Sequence, residues 1–185
     1  HVALSEKDLE ILENLELNKV KTYYRDLFLI GVYSGQRFSD YKRFDKKFIE
    51  GNNIVIRAKK TGQFSYIPLN NKLKRLLDKY DWLFSTISSQ KFNDHIHEIC
   101  RIAGFTETVV RERFYGNKKI SEDIPRYKLI SSHTARRTFI TISEHRGVSH
   151  SLIMKVTGIR SLKTLENYIK IDKDRLSEAI FKAWN

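Results

Sequence analysis

Residues Ser132–Ile171 read SHTARRTFITISEHRGVSHSLIMKVTGIRSLKTLENYIKI. The stretch opens with His133 and Arg136, three positions apart, and closes on a tyrosine, Tyr168. Over 134–145, Ala135, Phe139 and Ile142 recur at helical spacing, which predicts a helix with His133 at its N-terminal edge and Arg136 in its first turn. Free backbone N–H groups and the helix dipole favour an anion there. Ser149–Val156 predicts a short helix ended by Gly158, and Ser161–Tyr168 predicts another that ends on the tyrosine. Attack on a phosphodiester adds charge to the non-bridging oxygens, which fixed cationic donors stabilise. Tyr168 is the candidate attacking oxygen, and Arg137, one position along from Arg136, should point away and pack or pair elsewhere.

Two more cations join from far upstream. Glu6–Leu17 carries Leu9, Leu12 and Leu15 behind a capping signal at Ser5 and Asp8, giving a first helix over about 5–17. A second, over about 18–33, buries Tyr24, Leu27, Phe28 and Val32 and breaks at Ser34 and Gly35. Arg37 follows at once, on a turn held by a buried helix, and Asp40 could fix its guanidinium by a bidentate pair. Asn52–Arg57 and Phe64–Ile67 read as paired strands joined by KKTGQ, which carries Lys59 and Lys60. Adjacent strand residues face opposite ways, so only one of these two lysines can serve the site.

Between and after these pieces the chain supplies packing. Helices are predicted over about 70–80, through Leu73, Leu76 and Leu77, and over 88–103, with Phe92, Ile96, Ile99 and Cys100 inward. His95 and His97 are two apart and face different ways on a helix, a poor metal pair. Residues 106–128 predict a hairpin turned at Tyr115–Asn117, followed by a loop through Pro125. Its basic residues, Arg111, Arg113, Lys118, Lys119, Arg126 and Lys128, are candidate phosphate contacts. A last helix over about 172–184 carries Leu176, Ala179, Ile180, Ala183 and Trp184 on one stripe, which must be buried against its own domain or a neighbour.

The bulk properties agree. One domain with a real core fits in 185 residues, and 34 Lys and Arg against 22 Asp and Glu leave a net charge of +12, suited to a polyanion. No apolar run is long enough to span a bilayer. The lone Cys100 can form no internal disulfide, and no CxxC pair exists to hold zinc.

The boxes SGQRFSD, KKTGQFSYIP and SHTARRTF, with the closing LENYIKI, resemble the catalytic domain of the tyrosine recombinases, or phage-type integrases. The likeness runs from about Leu4 to Trp184. It implies a mainly α fold with a small antiparallel sheet, a single catalytic domain over 1–185, and DNA-binding domains that precede it in the family and are absent here. It assigns Arg37 and Arg136 to the scissile phosphate, Lys60 to the hairpin position of a general acid, His133 to donation or proton carriage, and Tyr168 to nucleophilic attack. Pro68 fits the proline that ends the second strand. The family normally has His or Trp at the position of Ile159, which cannot donate a hydrogen bond; Arg160 or water would have to substitute.

The implied chemistry needs neither metal nor cofactor. Tyr168 would form a 3′-phosphotyrosyl link and release a 5′-hydroxyl, and rejoining to another 5′-hydroxyl would recombine strands. A free phenol ionises only near pH 10, so the nucleophile needs cations or a base beside it. The resemblance implies double-stranded DNA as partner, a homotetramer built through helix 173–184, and a bacterial, cytoplasmic, nucleoid-associated setting. The wording of the boxes is closest to integrases of mobile elements such as conjugative transposons. Two alternatives share these residues: a type IB topoisomerase, and a non-catalytic DNA-binding accessory protein in view of Ile159. A metal-dependent nuclease would need clustered carboxylates, and the acidic residues are scattered.

Overall fold

The structure is a computed structural model that describes residues 2–116, 118–169, 181 and 184. Helix α1 spans Glu6–Asn14, closed at its start by a capping box in which the Ser5 N–H donates to the Asp8 carboxylate and the Asp8 N–H to Ser5 Oγ. It stops at Asn14, short of Leu17, because Leu15 is already extended. Helix α2, Lys19–Ser34, starts under the Asn18 cap and ends where Gly35 turns left-handed at φ +66°. Its Gly31 lets two helices come close: a Cβ there would lie 2.7 Å from the Tyr41 ring and 3.1 Å from Ala135.

A short helix α3, Phe38–Tyr41, leads into an antiparallel three-stranded sheet. Its strands are β1 (Ile49–Glu50), β2 (Asn53–Arg57) and β3 (Phe64–Pro68), in that spatial order, with Ile54 opposite Ile67 and Ile56 opposite Ser65. Alternation buries these four on one face. Helices α4 (Asn71–Lys79) and α5 (Ser89–Ile102) pack on α2. Asp26, 1% exposed, joins α2 to α4 by accepting from Arg25, Lys79 and Tyr80.

The hairpin is longer than its sequence implies. Strand β4 (Thr108–Tyr115) pairs with β5 (Lys118–Pro125), so the SED run expected in a loop is strand. Arg111 opposite Glu122 is a cross-strand pair that makes an acidic stretch acceptable there. Arg126, a candidate phosphate contact, is instead internal: it donates to Asp8 (3.1 Å) and Glu107 (2.7 Å), tying the end of the hairpin to α1.

Helix α6 spans Ser132–His145 and begins two residues earlier than expected, because the Ser131 N–H donates to Thr134 Oγ1 and starts the turn. Arg136 therefore sits in the second turn rather than the first. Helix α7 (His150–Thr157) packs on β3, and α8 spans Leu162–Glu166. The main core joins α1, α2, α4 and α5 to the sheet; a second cluster of Ile140, Ile153, Ile159 and Leu165 lies under Tyr168 and Ile169. The stripe expected on helix 172–184 lies outside the described residues, apart from Trp184.

Candidate active site

Arg136 is the largest fully buried side chain among the described residues. Its Nη1 donates to the carbonyls of Gly35 (2.9 Å) and Thr157 (2.8 Å), joining the ends of α2 and α7. Its Nε and Nη2 have no hydrogen-bond partner among the described residues, and neither has the buried Nη1 of Arg37. A buried donor without an acceptor is costly. Three such donors on two arginines leave room for an anion.

The electrostatics agree. Burial, then the neighbouring charge of Arg37, pushes the Arg136 pKa down to about 10, with Tyr168 and Asp40 partly opposing. His133 is exposed as a residue, yet desolvation where its ring faces the site, followed by the fields of Arg137, Arg136, Arg37 and Lys60, pushes its pKa down to about 4. At neutral pH His133 is an uncharged imidazole that can accept a proton. The charges of four cations, Arg37, Lys60, Arg136 and Arg137, thus act on one histidine.

Asp40 does something other than pair with Arg37. Its buried Oδ1 accepts from the Lys59 N–H (2.9 Å) and from Arg43 Nη2 (3.1 Å), three residues along the chain from it. It thus anchors the strand-joining turn rather than the arginine. That turn closes through Ala58 N–H to Gln63 O and Gly62 N–H to Ala58 O, both 2.8 Å, and it exposes Lys60. It also docks on the α7–α8 connection, where Thr61 Oγ1 donates to Gly158 O and Arg160 donates to Thr61 O. Arg160, expected to substitute for the donor missing at position 159, is engaged with the turn in this structure.

Tyr168 stands on a turn two residues past α8, its N–H donating to Leu165 O (2.8 Å), rather than ending the helix. Its ring lies 5.5 Å from that of His133, tilted by 47°. Arg137 does not turn away: its guanidinium carbon is 4.8 Å from the Tyr168 ring centroid, and Nη1 donates to Asn167 O (3.2 Å). The reason is helical geometry. Positions 133, 136 and 137 are spaced i, i+3 and i+4, which share a face. Ile159 is 5% exposed and belongs to the apolar cluster beneath Tyr168, so this position packs the nucleophile's support instead of offering a donor.

One residue escaped the sequence reading. Gln36 is fully buried, and its Nε2 donates to Ser34 O (3.2 Å) and Val156 O (2.6 Å), so it clasps the same two helix ends as Arg136. The signal was a polar side chain in a tight turn between a buried helix and Arg37. On the hairpin, Arg111 is exposed; the side chains of Arg113, Lys118 and Lys119 lie outside the described residues. Among the described residues no three His, Cys, Asp or Glu are grouped to hold a metal ion, and no helix is long and apolar enough to cross a membrane. A cavity of about 250 Å³ between Glu13, Arg25, Asp26, Tyr33, Arg75 and Lys79 includes none of the residues around Tyr168.

A family model described as "Phage integrase family" matches residues 4–175. Tyrosine recombinase XerA of Saccharolobus solfataricus is 24% identical over 184 residues, covering 96% of this chain and 57% of that protein. The XerH site-specific recombinase bound to a palindromic difH substrate, in a post-cleavage complex, matches with a TM-score of 0.70 at 19% identity, over 96% of this chain and 51% of that one. The Tn1549 transposon integrase in complex with circular intermediate DNA matches with a TM-score of 0.69 at 14% identity, over all of this chain and 67% of that one. The chain spans little more than half the length of the first two. At these identities the structural likeness establishes the fold, that of a tyrosine recombinase catalytic domain.

Proposed function

This chain belongs to the phage integrase family, and from that premise we propose that it is the catalytic part of a site-specific recombinase that breaks and rejoins DNA for a mobile element. The observation that carries the reading is the convergence of Tyr168 and His133 on an Arg136 whose Nε and Nη2 are buried and unpartnered. A phosphate would satisfy those donors and the free Nη1 of Arg37.

In the step proposed, Tyr168 Oη attacks phosphorus and the bond to the 5′-oxygen breaks. Neutral His133 takes the phenol proton, Lys60 gives a proton to the departing 5′-oxygen, and the arginines hold the charge gained by the non-bridging oxygens. The result is a 3′-phosphotyrosyl link and a free 5′-hydroxyl. Attack by a 5′-hydroxyl of another strand reverses the step, so no cofactor is consumed. Ile159 removes one donor from the set, worth about 10²- to 10³-fold where such donors have been deleted.

DNA contact is supported by the net charge of +12 and by exposed Arg111. Arg113, Lys118 and Lys119 would extend that contact along the hairpin. Residues 1–185 would form one catalytic domain that works beside separate DNA-binding domains in the bacterial cytoplasm. Assembly into a tetramer would use helix 173–184. Phe181 and Trp184, 63% and 83% exposed, support that assignment as apolar groups available to a neighbour.

The test is covalent trapping on nicked duplex DNA in EDTA. A denaturant-stable protein–DNA band that disappears in Tyr168→Phe is the expected result. Absence of a band from both the native chain and Ile159→His, with DNA binding intact, would favour an accessory DNA-binding role.

A further inference from the structure

Arg137 is the charged neighbour of Tyr168 that no phosphate role explains. Arg136 turns inward to the ends of α2 and α7, whereas Arg137 makes two contacts with the tyrosine's own segment. Its guanidinium lies over the ring face, 4.8 Å from the centroid, and its Nη1 donates to the carbonyl of Asn167, the residue just before the nucleophile. The two contacts are complementary. The hydrogen bond fixes the backbone that carries Tyr168, and the face contact fixes the plane of the ring.

The segment needs such a tether. Tyr168 is outside α8, on a turn whose inner side is apolar: Ile140, Ile153, Ile159 and Leu165 support the ring from below without directing it. An apolar floor is not directional, so swinging of the side chain about its Cα–Cβ bond is opposed only by what lies on its other sides. Among the described residues those sides carry His133, with ring centroids 5.5 Å apart, Arg136, and Arg137; Arg37 acts on both His133 and Arg136, Lys60 on His133 and Asp40 on Arg136. Of the three, Arg137 alone has both a ring-face contact and a backbone bond recorded to the tyrosine's segment. A planar guanidinium can do both at once, whereas an ammonium has no plane to lay on the ring.

We propose that Arg137 is a positioning residue for the nucleophile: it stacks on the Tyr168 ring and tethers Asn167, aiming the phenol oxygen toward the Arg136 guanidinium before DNA arrives. The consequence for the reaction rests on Tyr168 being the nucleophile, as proposed above; the structural part does not. A misaimed nucleophile lowers the rate of the bond-making step and leaves DNA affinity alone.

The experiment places 3-fluorotyrosine at position 168 alone and records ¹⁹F spectra of the full chain without DNA, in the native background and in Arg137→Met and Arg137→Lys. A shifted line in the native background that moves toward the free amino acid in Arg137→Met, and only partly so in Arg137→Lys, supports the proposal. An identical line in all three overturns it, as the ring would then be held without Arg137. The second readout is the rate of adduct formation on nicked duplex. Arg137→Met should lower the rate at saturating DNA by about tenfold, from the strength of a partly buried cation–ring contact, with the half-saturating DNA concentration unchanged. Weaker DNA binding with an unchanged saturated rate would mark Arg137 as a phosphate contact and overturn the positioning role. If the native chain forms no adduct at all, the proposed function fails, and the ¹⁹F comparison still decides whether Arg137 holds the ring.

Discussion

Replacing Arg136 by Met separates an arginine kept for an anion from one kept for the fold. The guanidinium is fully buried, and its pKa falls from the ordinary arginine value to about 10. That is about 3 kcal/mol against the charged form, fully present at neutral pH, which lies below both values. Methionine relieves this cost and fills much of the same space. Against it stand the carbonyls of Gly35 and Thr157, which lose their donor at about 1–3 kcal/mol each. The sum predicts a loss of no more than about 3 kcal/mol for a side chain whose removal from a fully paired buried site costs about 3–5 kcal/mol. Urea unfolding with and without sulfate is the assay. Sulfate at 100 times its dissociation constant should stabilise the native chain by about 2.7 kcal/mol and Arg136→Met far less. Equal sulfate stabilisation of both chains, or a loss above about 4 kcal/mol without sulfate, would refute the reasoning and make Arg136 a structural clasp.

Ile159→His should cost about 1–3 kcal/mol of stability, since a polar ring enters the cluster of Ile140, Ile153 and Leu165, while raising adduct yield; unchanged yield would mean that this donor is not what limits the site. NMR titration should find His133 protonating near pH 4. Because the folded value lies below the ordinary one, the unfolded chain takes up the proton first and stability falls as pH drops from about 6.5 toward 4; sulfate should raise the folded value, and a normal titration would contradict the cationic surroundings. Gly158→Ala should lose about 1–2 kcal/mol for its φ of +65°, and more because its Cβ would lie 2.7 Å from Ser65 Oγ. Gly51→Ala, at φ +58° with open space around it, is the control that should lose less in the same urea experiment.

What could be read from the chain was whatever depends on local spacing. The cap at Ser5, the periodic leucines of α4 and the paired runs of β2 and β3 each follow from neighbours in sequence, and their boundaries fell within a few residues. The candidate residues came from motif likeness, and the fold then brought Arg136, Arg137, His133 and Tyr168 into mutual contact or influence. What stayed hidden depends on distant partners. Asp40 was assigned to Arg37 because they are three apart, yet Lys59 and Arg43 hold its carboxylate. Arg126 looked like surface charge until α1 brought Asp8 to it, 118 residues away in sequence. Arg137 was misplaced by treating neighbours on a helix as opposite, whereas i+3 and i+4 both lie over i.

The measurement that bears most directly on the central claim is the identity of the covalent link. The native chain, reacted with nicked duplex in EDTA, would be digested with protease and nuclease and the modified peptide sequenced by mass spectrometry. The expected product is a single nucleotide joined through its 3′-phosphate to Tyr168, with a matching 5′-hydroxyl end on the released strand. A link to any other residue, a 5′-phosphate attachment, or strand cleavage that appears only when a divalent metal is restored would contradict it.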